Sequence, residues 1–337
     1  MSRWWPVARS ALLFALGAGA FSLVFFIGGG SDAWDRTKDA NGGLVVAFFC
    51  VAGAVMVVST ARWRVLIRTL LSGPGPPFSV LYVLVMMSRV VGLFVPRGAS
   101  DLGIRVIGLR KHAKSSLGRA TATVIIDNLM DIAIVGLFSL PGILFLTGKA
   151  SAPLATALIG AVAFVSLAAA PIAIPFAARS PLVSGVARLT RLLPVGRSSP
   201  GASETPEWPD AIRHLGHSES TGIWSLTLLR SVLLPLQFVM IAEAFDLGIS
   251  PWVIFAVWPV AQVTLVTGLT PGGLGIVDLG WLGLLVAAGI GTAEASTFVI
   301  VQRAGLTLAF LLFAAAALVW DSLVRRFAAA AAAQQSS

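Results

Sequence analysis

The sequence has little charge and almost no cysteine. Only 12% of its 337 residues are Asp, Glu, Lys or Arg, which is about half the share of a typical soluble domain. Because 57% of the residues are hydrophobic, this scarcity of charge excludes an ordinary water-soluble fold. The single cysteine, Cys50, excludes an intrachain disulfide and any metal cluster built from cysteines alone.

Motifs for nucleotide hydrolysis and catalysis are also missing. Gly148-Lys149 lacks both the P-loop spacing and the following Ser or Thr. Gly273-x-Gly275-x-x-Asp278 matches a dinucleotide fingerprint only in part, and it follows a membrane-length apolar run instead of a strand. His214 and His217 lie three residues apart in a polar loop, which is typical of a solvated surface. We therefore expect no metal, no cofactor and no enzymatic activity.

The sequence is instead rich in long apolar runs, which predict transmembrane helices. The predicted spans are residues 10–28, 44–60, 120–140, 153–178, 223–245 and 297–320. The first resembles a signal peptide, but we expect it to be retained because further spans follow at once. The predicted fold is an all-α polytopic membrane protein, one integral membrane domain over residues 1–337 with about six full transmembrane helices.

Basic residues concentrate in three loops. These are the segment around Arg62-Trp63-Arg64, the segment from Arg105 to Arg119, and the long polar loop 179–222. Excess Lys and Arg marks cytoplasmic loops, so we expect both termini in the cytoplasm. The net charge of +9 then indicates anionic lipid at the membrane surface, and no nucleic-acid partner is expected. The Ala-, Gln- and Ser-rich tail 328–337 is predicted to be disordered.

Two apolar segments are interrupted by proline and glycine. Residues 79–95 would form a helix of about 25 Å, short of the roughly 30 Å hydrocarbon core. We predict that 79–105 is a re-entrant hairpin dipping from the cytoplasm, and that 252–290 dips from the outside. These hairpins fall in a first half, 61–140, and a second half, 223–320, which is typical of an inverted repeat with a substrate site between its halves. The alternative is that such breaks are simply common in membrane helices.

Several charged residues lie inside the apolar segments. Each costs about 2.5–3.5 kcal/mol at a helix centre, which favours either mutual ion pairs or a water-filled cavity. Asp127 and Asp131 lie four residues apart on one helix face, so they repel unless a cation lies between them or one holds a proton. Free N–H groups near Gly98 and Gly273 are candidates to bind an anion. The candidate substrate-binding residues are Arg89, Pro96, Arg97, Gly98, Asp101, Asp127, Asp131, Pro271, Gly272, Gly273, Gly275, Asp278 and Arg303.

The second break resembles the signature of a known family. Residues 270–278, Thr-Pro-Gly-Gly-Leu-Gly-Ile-Val-Asp, are similar to the Pro-Gly-Gly-Leu-Gly-Val-x-Glu motif of the lysylphosphatidylglycerol synthase transmembrane-region family, also called the flippase-like domain. Further pieces follow in that family's order over residues 44–320: Arg62-Trp63-Arg64, Pro96-x-Gly98 with Asp101 and Arg105, the Asp131 helix, and Arg303. Asp278 stands where Glu is usual, and Asp127-Asn128 stands where Glu-Arg is common.

The resemblance implies a lipid-translocating domain without the aminoacyltransferase domain of the larger synthases. It implies a flippase or transporter of the bacterial or archaeal plasma membrane that moves a phospho- or polyprenyl-linked lipid between leaflets. In this hypothesis Arg89, Arg97 and Arg303 neutralise the phosphate, while Asp131 and Asp278 contact a cationic or hydroxyl group or relay protons. The expected partners are membrane lipids with anionic head groups, with a second copy of the chain and a lipid-modifying enzyme as candidate protein partners. The alternatives are a scaffold that recruits such an enzyme through loop 179–222, and an integral-membrane lipid transferase.

Overall fold

The computed structural model describes Ser22 and residues 38–71, 75–113, 115–177, 216–266 and 270–335. No strand occurs in these ranges. The predicted span 10–28, apart from Ser22, and loop 179–222 up to residue 215 lie outside the described residues. In chain order the helices are α1 (Gly42–Leu70), α2 (Phe78–Val91), α3 (Arg97–Ser100), α4 (Ile107–Ala113), α5 (Leu117–Leu146), α6 (Ala152–Ala177), α7 (His217–Ala244), α8 (Pro251–Val266), α9 (Ile276–Ala287) and α10 (Thr292–Gln335).

Five of these helices are long and apolar enough to cross a membrane. They contain Gly42–Leu70, Leu117–Leu146, Ala152–Ile172, His217–Ala244 and Thr292–Val324. Each covers one of the predicted spans, and this confirms an all-helical, multi-pass membrane protein. The sixth predicted span is the one at residues 10–28.

Two helices end at least ten residues beyond their predicted ends. Helix α1 continues ten residues past the predicted end at residue 60, because Arg62 and Trp63 are buried inside the protein and are not part of a loop. Helix α10 continues to Gln335, where the sequence predicted a disordered tail. Alanine has the highest intrinsic helix propensity, and the tail is rich in it.

The two interrupted segments fold as helical hairpins. In the first, α2 turns at residues 92–96 and packs against a π-helical turn, Asp101–Val106, that joins α3 to α4. In the second, α8 packs against α9, with a short 3₁₀ turn, Pro271–Gly273, between them. Helices α2 and α9 have 14 and 12 residues, or about 21 and 18 Å, so neither arm spans the hydrocarbon core. The inverted-repeat relation and the sides from which the hairpins dip stay predictions.

The tips of the two hairpins touch each other. Gly272 has a φ of 60°, and a Cβ there would lie 3.4 Å from both Cα and O of Leu93. Gly272 therefore adopts a left-handed backbone conformation at the point where another backbone segment comes close. Glycine suits both conditions because it has no Cβ. The two sequence breaks, far apart in the chain, form one junction.

An aromatic cluster holds the second hairpin in place. The Trp281 ring on α9 lies 5.3 Å from the Phe238 ring on α7 and 5.3 Å from the Phe298 ring on α10. Edge-to-face and tilted aromatic pairs at this separation are favourable. Helices α7, α9 and α10 are thereby fixed together, and α7 also packs along α1.

Helices α5 and α8 cross closely at Gly142. A Cβ on Gly142 would contact the backbone oxygen of Ala256 and lie 2.8 Å from Cγ2 of Val260. We expect Gly142→Ala to destabilise the protein by about 1–3 kcal/mol, because overpacking forces the helices apart, and to lower its melting temperature in detergent. Gly136→Ala on the same helix is the control, since a Cβ there meets nothing within 4 Å. Equal melting temperatures for the two variants would contradict the close crossing.

Candidate functional site

A buried arginine lies between two aspartates near the hairpin junction. Arg62 on α1 donates from Nε to Asp127 Oδ1 at 2.8 Å and from Nη1 to Asp131 Oδ1 at 2.7 Å. Its Nη2 also donates to the Asp127 backbone oxygen at 3.1 Å. The side chain of Arg62 is only 1% exposed. The repulsion between Asp127 and Asp131 could be relieved by a cation between them or by a proton on one of them. In the structure the Arg62 guanidinium is the cation between them.

A second buried arginine ties the first hairpin to this pair. Arg105 lies in the π-helical turn and donates from Nη2 to Asp127 Oδ2 at 2.7 Å. Its Cζ lies 4.2 Å above the centroid of the Trp63 ring, a favourable cation–π distance. Asp101, one helical turn earlier, accepts from Ser88 Oγ on α2 at 2.6 Å and lies 3.6 Å from Arg105 Nη1. These contacts close the hairpin and join it to α1 and α5.

Asp131 is shared by further arginines. Its Oδ1 accepts from Arg230 Nη1 on α7 at 2.7 Å, and Arg230 Nε donates to Ser59 Oγ at 2.9 Å. Arg97 is held much more loosely: its guanidinium lies 3.9 Å from Asp131 Oδ2 and 4.0 Å from Asp101 Oδ2. Its side chain is 28% exposed. Arg97 is therefore free to take another anionic partner, whereas Arg230 is fixed.

The second hairpin carries a separate ion pair. Arg303 on α10 donates to Asp278 Oδ1 from Nε at 3.0 Å and from Nη2 at 2.7 Å, and Nη1 donates to the Gly272 oxygen at 2.7 Å. Asp278 is fully buried, and its Oδ2 accepts from the Gly275 N–H at 2.9 Å. The Gly273 N–H is bonded to the Thr270 oxygen. The N–H groups of Gly273 and Gly275 are therefore already bonded, the first within the turn and the second to Asp278.

A cavity lined by four arginines lies at the hairpin junction. Its volume is about 160 Å³, and Arg89, Arg97, Arg230 and Arg303 line it without any Asp or Glu among the described residues. We call it cavity 1. Arg89 makes no hydrogen bond and no close ion pair with the described part of the chain, although Asp101 and Asp131 attract it from a longer distance. The remaining lining residues used below are Met56, Gly272, Gln237, Gln302, Leu306 and Phe310.

A larger cavity of about 390 Å³, which we call cavity 2, adjoins the first. The two share Arg97, Arg230, Leu234 and Gln262 as a common wall. The other lining residues of cavity 2 are Pro96, Gly98, Asp101, Asn128, Asp131, Ile132, Ile134, Val135 and Trp258. One molecule can therefore contact both cavities through the same side chains.

The structure brings together eight of the thirteen candidate residues at these cavities. Cavity 1 is lined by Arg89, Arg97, Gly272 and Arg303, and cavity 2 by Pro96, Arg97, Gly98, Asp101 and Asp131. The five that line neither cavity are Asp127, Pro271, Gly273, Gly275 and Asp278. Asp127 and Asp278 lie behind the cavity wall, where each holds an arginine in position.

Other residues of the site were missed from the sequence. Arg62 and Arg105 lie in basic segments that the sequence assigned to loops, and Arg230 is a charged residue inside the predicted span 223–245. Besides its place in the family resemblance, Arg62 was signalled by the Asp127–Asp131 pair, which favours either a nearby cation or a shared proton. Gln237, Gln302 and Trp258 gave no signal, because uncharged polar residues in a span are common.

The described residues around the junction include six arginines, Arg62, Arg89, Arg97, Arg105, Arg230 and Arg303, but only four aspartates, Asp101, Asp127, Asp131 and Asp278. The excess of two positive charges lies beside cavity 1. Fold and site together define a polytopic helical membrane protein with a cationic cavity between two helical hairpins.

The chain belongs to a family that acts in lipid handling. The family described as "Lysylphosphatidylglycerol synthase TM region" matches residues 10–315, nearly the whole chain, and this confirms the resemblance seen in the Pro271–Asp278 motif. No curated protein sequence matches the chain significantly.

The Arg303–Asp278 pair gives a test of this network. We expect Arg303→Gln to destabilise the protein by about 3–5 kcal/mol, because it leaves Asp278 buried without its counter-charge. The double variant Arg303→Gln with Asp278→Asn removes both charges, and its melting temperature should lie closer to that of the wild type. Arg68→Gln, at an exposed position of α1, is the control and should not change the melting temperature. A double variant less stable than Arg303→Gln alone would contradict the pairing.

Proposed function

We propose that this protein moves a lipid with a phosphate-containing head group between the two leaflets of the membrane. The observation that carries the proposal is cavity 1, whose four arginines include Arg89 without an ion-pair partner among the described residues. A buried charge is costly unless it is paired. An anion in cavity 1 would give Arg89 a close counter-charge, which the aspartates supply only from a longer distance.

A lipid phosphate fits this cavity chemically. Guanidinium groups bind phosphate through short, charge-assisted and often bidentate hydrogen bonds. The rest of the wall is apolar, with Met56, Leu306 and Phe310 beside the arginines. This combination suits a head group bound next to hydrocarbon, so the acyl chains remain in the bilayer while the phosphate lies in the cavity.

The hairpin junction offers a route for movement. At the contact between Gly272 and Leu93, Gly272 contributes only backbone atoms. The tip of the second hairpin therefore places no side chain from this residue against the first hairpin. Arg97 lies on the first hairpin and has only ion contacts of 3.9 and 4.0 Å. In the proposed mechanism the two hairpins, dipping from opposite sides of a bacterial or archaeal plasma membrane, rock against each other as inverted repeats do. Arg97 then follows the phosphate from one cavity to the other.

No chemical step on the lipid forms part of the proposal. Every described charged group at the junction except Arg89 has a close ion pair, and the proposed role of these groups is to bind and position. The family match supports this view, since it covers the transmembrane region of the synthases. Both termini are proposed to lie in the cytoplasm, following the charge of the loops.

Transport in proteoliposomes tests the proposal. The wild-type protein should speed the exchange of an acyl-labelled anionic phospholipid between leaflets. Arg89→Gln should reduce head-group affinity and the rate at low lipid concentration by about 10- to 100-fold, the effect of one lost charge-assisted hydrogen bond. Its melting temperature without lipid should be no lower than that of the wild type, because Arg89→Gln removes no hydrogen bond or close ion pair within the described part of the protein and removes a costly charge. Arg68→Gln is the control with full activity.

The proposal fails if wild-type vesicles exchange anionic, zwitterionic and neutral lipids no faster than protein-free vesicles. That result would favour a scaffold or a lipid transferase.

A further inference from the structure

We propose that the head group bound in cavity 1 is a terminal phosphate, a phosphate monoester with two negative charges, instead of the singly charged phosphodiester of most phospholipids. The inference rests on the proposed function and names the substrate class of the same site. It follows from the number of positive charges beside the cavity and from the size of the space between them.

The ion network that joins the first hairpin to α1, α5 and α7 contains five arginines and three aspartates. They are Arg62, Arg89, Arg97, Arg105, Arg230, Asp101, Asp127 and Asp131. Two positive charges therefore remain in this network even when every aspartate is ionised. The Arg303–Asp278 pair of the second hairpin does not change the count, because its two charges cancel.

The excess charge lies on two arginines that line cavity 1. Arg230 and Arg303, which also line it, each have a carboxylate oxygen at 2.7 Å. Arg97 has only ion contacts of 3.9 and 4.0 Å, and Arg89 has no close ion pair with the described part of the chain and is repelled by Arg97. A buried charge is costly unless it is paired. A ligand with two negative charges would neutralise both guanidinium groups, whereas a phosphodiester would leave one positive charge in excess.

The space beside these guanidinium groups suits a single phosphate. The volume of cavity 1 is about 160 Å³, and a cavity of about 150 Å³ holds benzene. A phosphate group is smaller than benzene, and a diphosphate is larger. A second phosphate would not be accommodated in cavity 2, because Asp101 and Asp131 line that cavity and would repel it. Both negative charges therefore have to lie on one phosphate group, as they do in a phosphate monoester.

Phosphatidic acid and phosphatidylglycerol with the same acyl chains test the inference. The first ends in a phosphate monoester, and the second contains a phosphodiester. At pH 8 we expect the detergent-solubilised full chain to bind phosphatidic acid about 10-fold more tightly, the contribution of one further hydrogen bond between charged groups. At pH 5 the affinities should be nearly equal, because the second pKa of a phosphate monoester is about 6. Pull-downs with each radiolabelled lipid measure the two affinities.

The ratio of the two affinities isolates the charge of the lipid. The charged groups around cavity 1 are those of the ion network together with Arg303 and Asp278, and no histidine lines either cavity among the described residues. A change in the charge of any of these groups would alter the binding of both lipids. A preference for phosphatidic acid that disappears on acidification therefore reports the second ionisation of its phosphate.

Variants assign the second charge to particular arginines. Arg89→Gln leaves only one positive charge in excess, so the preference for phosphatidic acid at pH 8 should fall toward one. Arg89→Lys keeps the charge and should keep most of the preference. Arg97→Gln is a second variant that should also abolish it. Arg68→Gln removes an exposed arginine of α1 and is the matched control that should keep the preference. The melting temperature of each variant shows that it is folded.

Inorganic phosphate distinguishes a lipid ligand from a free ion. It carries the same double charge but has no acyl chains to lie beside Leu306 and Phe310, which line cavity 1. It should displace phosphatidic acid only at roughly 100-fold higher concentration, the effect of losing a few buried methylene groups. Displacement at equal concentration would assign the cavity to free phosphate and overturn the inference.

The outcomes separate this inference from the proposed function. Equal affinities for the two lipids at pH 8 overturn the inference, and so does a preference that is unchanged at pH 5 or in both folded glutamine variants. In each case exchange of either lipid by the wild type in proteoliposomes still supports transport. Selective binding without any lipid exchange removes the proposed transport, and cavity 1 is then a binding site for the same class of lipid.

Discussion

The position of Arg62 between Asp127 and Asp131 is the interaction on which the rest of the site depends. Two carboxylates one helical turn apart cannot both be charged in a membrane interior without a cation between them. Arg62 supplies that cation at 2.8 and 2.7 Å. The remaining carboxylate oxygens then bind Arg105 from the first hairpin and, at longer range, Arg97, so one ion triad determines where the hairpin lies.

This network also explains the charge of the cavity. Asp127 pairs with Arg62 and Arg105, and Asp131 pairs with Arg62 and Arg230, so both aspartates already have close counter-charges. Arg89 and the loosely held Arg97 remain to face the cavity. The sequence left open whether the buried charges are structural pairs or a binding site. In the structure the buried charges have both roles. Asp127 and Asp278 lie behind the cavity wall and hold arginines in place, and the arginines that line cavity 1 form its cationic surface.

Much of this arrangement could be predicted from the sequence, and the rest could not, for physical reasons. The short segment 79–95 and the proline and glycine breaks indicated the hairpins, and the Asp127–Asp131 spacing indicated that the two carboxylates need a cation between them or a shared proton. Arg62 escaped prediction because loop charge and buried charge look alike in sequence when the buried counter-ion lies far away in the chain. The partnership of Asp278 with Arg303 depends on how α10 packs against the second hairpin, and no local pattern encodes that.

The most direct test of the account is a structure of the protein in lipid nanodiscs that contain an anionic phospholipid. We expect head-group density in cavity 1, with the phosphate within hydrogen-bond distance of Arg89 and Arg97 and acyl chains extending past Leu306 and Phe310 into the bilayer. Density for an acyl chain alone in cavity 1, or a cavity filled only by water while lipid phosphates bind elsewhere, would contradict it.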